Sequence, residues 1–273
     1  MKISIITVVL NGMHSIARTL ESIASQRSLH LEIEHIVIDG GSTDGTLELL
    51  HKHQDQIEIL VSEPDKGLYD AMNKGIRLAS GDIIGILNAD DHYANNHVLS
   101  DIHQIFESEQ VDAVYGDLEY FDPRQMAVPT RLYRSCNFHP SKLSKGLMPA
   151  HPTLFLRKSV YEQYGLFKPK YKIAGDFDFI ARIFKDGLLR CVYVPRILTR
   201  MQSGGVSTRS LKNTILLNKE ILRSCRENGI STNVFKLLSR YPQKFLECFW
   251  ELGYWGGSSN APNRLHDKYF DLK

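Results

Sequence analysis

The sequence is short of cysteine, of net charge and of long apolar runs, and each shortage removes a class of protein. Its 273 residues include four cysteines, Cys136, Cys191, Cys225 and Cys248, far apart and without Cys-x-x-Cys spacing. That disfavours a zinc site and a disulfide framework and suits a reducing, cytoplasmic compartment. Lysine and arginine number 33 against 31 aspartates and glutamates, so bulk charge gives no reason to expect a nucleic-acid partner. No run approaches the length of a membrane-spanning helix. The apolar run Ile3–Leu10 follows Lys2 like the start of a secretion signal. It is short, contains Ser4 and Thr7, and ends at Asn11-Gly12 with no small-residue cleavage site, so it reads as a buried strand. What remains is an ordinary globular composition, 42% hydrophobic and 23% charged, enough for one large domain with or without an appendage.

The first ninety residues alternate between two periods. Ile3–Val9, Glu34–Ile38, Ile57–Val61 and Ile83–Leu87 are apolar or β-branched runs of strand length. Between them, Met13–Ala24, Leu47–His53 and Tyr69–Ala79 carry helical spacing. Strands alternating with helices predict βαβ units and a parallel sheet. After Asp91 the pattern is mixed. Val98–Phe106 reads as a helix, and Ala113–Tyr115 and Leu118–Phe121 flank Gly116-Asp117 like a hairpin. Residues 122–150 read as a long irregular loop. Pro152–Leu156 and Arg190–Val194 read as strands, with helices at Ser159–Tyr164 and Asp176–Lys185. From Leu211 only helices are expected, over Leu211–Glu227 and Asn233–Leu252.

Chemistry gathers at the strand ends. The fourth strand runs into Asn88-Ala89-Asp90-Asp91. Two acids at the end of a buried strand either meet a cation, such as a divalent metal carrying nucleotide phosphates, or cap a solvated turn. The second strand ends in Asp39-Gly40-Gly41-Ser42-Thr43-Asp44-Gly45-Thr46. A dinucleotide fingerprint is excluded there, because its middle glycine is replaced by Ser42 and the segment follows the second strand. Asp39 either accepts from a nucleobase N–H or fixes the turn. The third strand leads into Glu63-Pro64-Asp65-Lys66-Gly67-Leu68-Tyr69-Asp70-Ala71-Met72-Asn73-Lys74-Gly75. There Asp70, Asn73 and Lys74 can converge on a ligand, while Lys66 and Lys74 answer either diphosphate charge or solvent.

These segments, with Ser4–Asn11 and Gly175-Asp176-Phe177-Asp178, stand in collinear order over residues 1 to about 200, and together they resemble the family 2 glycosyltransferases. The Gly67–Gly75 version is similar to a subgroup tied to bacterial O-antigen, capsule and exopolysaccharide. The resemblance implies the GT-A fold: an α/β, Rossmann-like, mostly parallel sheet flanked by helices, here with a helical C-terminal extension. It divides the chain into a catalytic domain over 1–208 (a nucleotide-sugar half, 1–91, and an acceptor half, 92–208) and the extension over 209–273. It implies a nucleotide-sugar donor, a UDP-sugar favoured, and inversion at the anomeric carbon. Thr7 and Asn11 are then expected near the nucleotide and Asp39 at the base. Asp90-Asp91 stands at the family's metal motif. Neighbours in extended chain point to opposite sides, so the pair divides: Asp91 to Mg²⁺ or Mn²⁺, Asp90 to the ribose.

Such a transfer needs one base, since a metal-bound diphosphate leaves without a proton. The match gives that role to Asp176. The family often has an acid just before it where Gly175 stands here, and Asp178 is a rival. Alternatively Asp176 caps the following helix. His151 borders the acceptor or metal, or is structural. Ser203-Gly204-Gly205-Val206-Ser207 reads as a loop closing over diphosphate, with Gly204, Gly205 and Ser207 as candidates, or as a glycine turn. The basic and aromatic tail, including Trp250 and Trp255, lies on an anionic membrane or packs on the domain or a second subunit of a homodimer. The expected acceptor is a glycan or polyprenyl-diphosphate-linked saccharide. A sugar nucleotidyltransferase ranks low, because Asn11-Gly12-Met13-His14 replaces the glycine-rich basic loop of that class. A non-catalytic sugar-nucleotide binder is the remaining alternative.

Overall fold

The computed structural model describes residues 1–28, 30–205 and 210–241. The first half is a parallel sheet of β1 (Lys2–Val9), β2 (Glu32–Asp39), β3 (Ile59–Ser62) and β4 (Ile83–Ile86), in the order β3-β2-β1-β4. Helices α1 (Ile16–Ala24), α2 (Thr46–Lys52) and α3 (Leu68–Leu78) make the crossovers. Every residue of β1 after Lys2 is buried, as a strand covered on both faces requires. Pairing sets Val9 beside Asp39 and Asp39 beside Ser62, so the carboxyl ends of three strands line up at one edge. Ligands of open α/β sheets bind outside that edge.

The sheet continues through β8 (Phe155–Arg157), β6 (Ala113–Phe121), β9 (Cys191–Gln202) and β5 (His92–Tyr93), with β7 (Pro129–Tyr133) paired to β6. Strand β8 runs antiparallel to β4 and β6, while β6 and β9 are parallel. Helices α4 (Val98–Ser108), α5 (Lys158–Tyr164), α6 (Gly175–Phe184), α7 (Leu211–Glu227) and α8 (Val234–Leu238) complete the chain. The sheet divides two core clusters. Ile3, Ile5 and Ile83 face Leu99, Ile102 and Phe106. Ile6, Val8 and Ile38 face α3 and α6, and this cluster takes in Ile221 and Cys225 of α7 and Leu237 of α8. Burying a side chain such as Ile221 contributes about 1.5–3 kcal/mol, so α7 is held to α6 by core packing.

Several expected elements change. Gly116-Asp117 is not a hairpin turn, because β6 runs straight through it with a register shift against β9. A Cβ at Gly116 would stand 2.6 Å from Leu198 Cγ, so the glycine serves a close strand approach. Asp117 points inward, and Oδ1 accepts from Ser135 N (2.8 Å) and Tyr193 Oη (2.9 Å). The long loop contains β7 and a 3-10 turn at Pro140–Lys145. Pro152 lies in a 3-10 turn, His151–Thr153, and the strand begins only at Phe155. The strand expected over Arg190–Val194 extends to Gln202. Of the helix expected over Asn233–Leu252, Val234–Leu238 is present, and Trp250 and Trp255 lie outside the described residues. Among the described residues no helix is long and apolar enough to cross a membrane.

Candidate active site

Loops after β1 and β2 are laced together at the carboxyl edge. Asn11 takes a left-handed φ of 52°, which lets its Oδ1 accept from Thr43 N at 2.9 Å while its own N–H donates to Ser42 Oγ at 2.7 Å. Asp39 is fully buried under this lacing. Its carboxylate accepts from Ser62 Oγ (2.6 Å), from Ser42 N and from Ser42 Oγ. In the ligand-free protein Asp39 therefore fixes the turn. After β3, Asp70 Oδ2 accepts from Lys66 N at 3.0 Å. Lys66 is exposed, and Lys74 pairs with Glu63 at 2.8 Å.

Asp90 and Asp91 sit in different surroundings. Asp90 is half-buried and Asp91 has no exposed surface. Asp91 Oδ1 accepts a long bond from Gln202 N, at 3.3 Å, and Oδ2 is buried with no partner among the described residues. Burial, then Asp90 beside it, pushes the Asp91 carboxyl well above the usual range, and burial raises Asp90 too. The Gln202 amide and the Asn88 side chain draw Asp91 partly back, and the Arg18 guanidinium, which lies over the Phe121 ring at 4.9 Å, draws back both acids. Asn88 Oδ1 and His92 Nδ1 nearby in sequence are also buried and unpartnered among the described residues. A buried carboxylate oxygen with nothing to accept is rare unless a ligand completes it. Asp91 Oδ2 is a hard oxygen donor, and hard divalent ions are commonly held by one or two carboxylates with phosphates supplying the rest. That fits Mn²⁺ or Mg²⁺, although no group of three His, Cys, Asp or Glu side chains occurs among the described residues. The bond from Gln202 brings the end of β9 to Asp91; Gly204 and Gly205 follow it in the chain, and Ser207 lies outside the described residues.

Asp176 opens the first turn of α6. Its Oδ1 accepts from Phe177 N at 2.7 Å and faces Tyr69 Oη at 3.4 Å, while Oδ2 lies 3.3 Å from His151 Nδ1. Tyr69 Oη also donates to Ile173 O at 2.7 Å. A Cβ on Gly175 would come within 2.6 Å of the Tyr69 ring. A side chain at position 175 would therefore meet the ring, which occupies its place. Burial raises the Tyr120 phenol, Arg131 opposes that rise, and the charges of Asp91 and Asp176 add to it.

Other candidates are closed off. Thr7 is fully buried and its Oγ1 is 3.0 Å from His35 Nε2. Asn73 clamps Phe167, donating to its O (2.8 Å) and accepting from its N (3.0 Å). Asp178 is fully buried among Lys168, Arg182, Ser224 and Asn228, which makes it a structural ion and not an acid facing the acceptor side. Sequence reasoning misses Arg18, His92 and the part played by Tyr69. Only Tyr69 lies inside a motif segment; Arg18 and His92 carry no local signal.

The fold is that of a glycosyltransferase of the GT-A type. The chain belongs to the family described as Glycosyl transferase family 2, whose model matches residues 4–165. It is 30% identical over 230 residues, 81% of this chain and 82% of the other, to a "PGL/p-HBAD biosynthesis glycosyltransferase" of Mycobacterium bovis. It is similar in structure to S. aureus TarS 1-349 in complex with UDP-GlcNAc, with TM-score 0.65 and 18% identity over 82% of this chain and 66% of that one. Of the same TarS 1-349 solved without that ligand it spans 65%. The mannosyltransferase PcManGT of Pyrobaculum calidifontis, with GDP-Man and Mn²⁺, matches at TM-score 0.57 and 17% identity over 93% of this chain and 82% of that one.

Proposed function

We propose that this glycosyltransferase moves a hexosyl or N-acetylhexosaminyl group from a UDP-sugar to a hydroxyl of a lipid-linked saccharide, with inversion. The observation that carries the proposal is the buried Asp91 Oδ2 beyond the carboxyl edge of the parallel sheet, without a hydrogen-bond partner among the described residues. Asp91 would hold Mn²⁺ or Mg²⁺, with Asp90 turned to the ribose. When bound, the ion offsets the charge on the departing diphosphate. Asn11 and Asp39 line the nucleotide side, Lys66, Asp70 and Lys74 flank it, and Gly204 and Gly205 cover the diphosphate.

Asp176 acts as the base. The acceptor oxygen bonds to the anomeric carbon as the bond to diphosphate breaks, and the acceptor's proton passes to Asp176. The single carboxylate suffices because the leaving group needs no protonation. His151 and Tyr69 hold Asp176 in one orientation. A polyprenyl-diphosphate acceptor is supported by exposed Leu211, Ile215 and Phe235 beside Lys212 and Lys236, a basic apolar face suited to the inner surface of an anionic membrane. The same face would alternatively serve a homodimer. These assignments suit a role in bacterial surface polysaccharide synthesis at the cytoplasmic face.

The test is a thermal-shift screen of nucleotide-sugars with and without Mn²⁺, followed by turnover of the selected donor by Asp91→Asn and Asp176→Asn. The reading expects a metal-dependent shift in wild type, loss of that shift in Asp91→Asn, and its retention in Asp176→Asn with turnover down at least a hundredfold. Turnover that survives both substitutions overturns the roles given to Asp91 and Asp176, and a donor-dependent shift with no turnover in wild type overturns the enzyme reading in favour of a non-catalytic sugar-nucleotide binder.

A further inference from the structure

We infer that Glu220, on α7, is a positioning residue that sets the orientation of Asp176 by gripping the backbone turn in front of it. The inference rests on the reading of Asp176 as the base. Glu220 is 8% exposed, and its hydrogen-bond partners among the described residues are three successive backbone amides. Oε1 accepts from Lys172 N at 2.8 Å, and Oε2 accepts from Ile173 N at 2.9 Å and Ala174 N at 2.8 Å. Consecutive N–H groups turned to one side form a concavity for an anion, and here a side chain of the same chain fills it. Without Glu220 these donors would face a packed helix, and an unpaired buried N–H is costly.

The grip acts on Asp176 through very little chain. Helix α6 begins at Gly175, one residue beyond the last amide held. The same turn is fixed from the opposite side by Tyr69, whose hydroxyl holds Ile173 O and whose ring lies against Gly175. With amides and carbonyl both fixed, the first turn of α6 has one direction, and that direction brings Asp176 Oδ2 to His151. One face of α7 repeats the arrangement: Ser224 donates to Asp178 at 3.0 Å, and Glu227 accepts from Lys170 at 2.7 Å. The spacing of Glu220, Ser224 and Glu227 is that of one helical face. An apolar residue at 220 would pack α7 equally well but would leave the turn unheld. Helix α7 is thus part of the catalytic unit.

The test needs no substrate. In full-length protein, ¹⁵N NMR reads the His151 ring tautomer, which reports whether Nδ1–H is donated to Asp176. Hydrogen exchange reads the amides of residues 172–174. Asp176→Ala supplies the reference signal for a His151 without its partner. In Glu220→Ala, exchange at 172–174 should rise at least tenfold and the His151 signal should move toward the Asp176→Ala reference, with far-UV circular dichroism unchanged. Glu220→Gln, which keeps one acceptor oxygen at the same reach, should fall between, and it decides the question should Glu220→Ala fail to fold. Exchange within twofold of wild type, or an unmoved His151 signal in a folded variant, overturns the inference. The base reading is tested separately by turnover in Asp176→Asn. Retained turnover there with a shifted His151 signal in Glu220→Ala removes the base and leaves the positioning intact.

Discussion

The two acidic centres of this protein are built in opposite ways. At the end of β4, Asp91 is buried with one oxygen unpartnered among the described residues and the other on a long bond. At the start of α6, Asp176 has a backbone donor, His151 and Tyr69 around it, and the neighbouring Asp178 has two cations and two neutral donors. Asp178 Oδ2, like Asp91 Oδ2, has no hydrogen-bond partner among the described residues, but it pairs with two cations where Asp91 Oδ2 pairs with none among them. On the proposed reading, a carboxylate that must orient is partnered by the fold and one that must accept a ligand is left open to it. The contrast gives each centre its own response to substitution.

The largest effect is expected at Asp178. Removing it leaves Lys168 and Arg182 without their shared buried partner and frees Ser224 and Asn228 on α7. Breaking one side of a buried ion pair costs about 3–5 kcal/mol. Asp178→Ala should lose about that much in urea denaturation. A loss below about 1 kcal/mol would mean that the satisfied centre is not held together as the contacts indicate.

How far the sequence reveals each centre follows from distance along the chain. At the strand-end centre the parallel strands deliver Asn11 and Asp39 to one edge. Asp90 and Asp91 lie past the end of β4, in a turn closed by Asp91 N on Asn88 O at 3.0 Å, so their different burial comes from the turn and not from the strand alternation expected of them, and Arg18 and His92 carry no local signal. The second centre is legible in Asp176 and in His151, which the structure sets beside it. Glu220 comes from a helix position 46 residues beyond Ala174, and nothing local marks it among the other charged residues of α7. Asn73 and Thr7 fall inside motif segments, yet their side chains turn to Phe167 and His35, partners that lie elsewhere in the chain. Gly116-Asp117 misleads for the same reason. A glycine beside an aspartate signals a turn, but Tyr193 and Ser135, far along the chain, satisfy Asp117 inside a continuous strand.

Glu34, at the amino end of the same sheet, sharpens the comparison as a satisfied carboxylate remote from both centres. Burial opposes its charge, but Ser4, Ser80 and Lys2 outweigh burial and hold it down to about 2. A depressed carboxyl stabilises the protein above its unfolded value, near about 4.3, and that contribution is lost as pH falls through the folded value. Glu34→Gln should therefore cost about 2–3 kcal/mol at neutral pH, with the difference from wild type shrinking below about pH 4.5. Urea midpoints taken between about pH 7 and pH 3 check this. A pH-independent difference would assign Glu34 a packing role only.

Gly175 tests how tightly the second centre is set. Gly175→Ala puts a methyl 2.6 Å from a Tyr69 ring that is itself buried and bonded to Ile173. Overpacking of this kind costs about 1–3 kcal/mol. The accompanying shift of Asp176 should lower kcat for the selected donor about tenfold with donor KM little changed. Unchanged kcat in a destabilised variant would show that the turn tolerates movement and that Asp176 is less rigidly placed than its contacts suggest.

The smallest effect has the opposite sign, and it separates the two centres most cleanly. Asp91 carries a carboxyl raised by burial and by Asp90, so its charge opposes folding. A raised acid lowers stability as pH climbs above the unfolded value, near about 3.9. Asp91→Asn removes that charge and should stabilise the metal-free protein at about pH 7 to 8, with the gain vanishing below about pH 4. With Mn²⁺ added the order should reverse, because wild type gains from ligand binding and the variant does not. Thermal midpoints with EDTA and with Mn²⁺ measure both halves. If Asp91→Asn is destabilised in EDTA, as Asp178→Ala is expected to be, then Asp91 has a partner in the free protein and the two centres are alike.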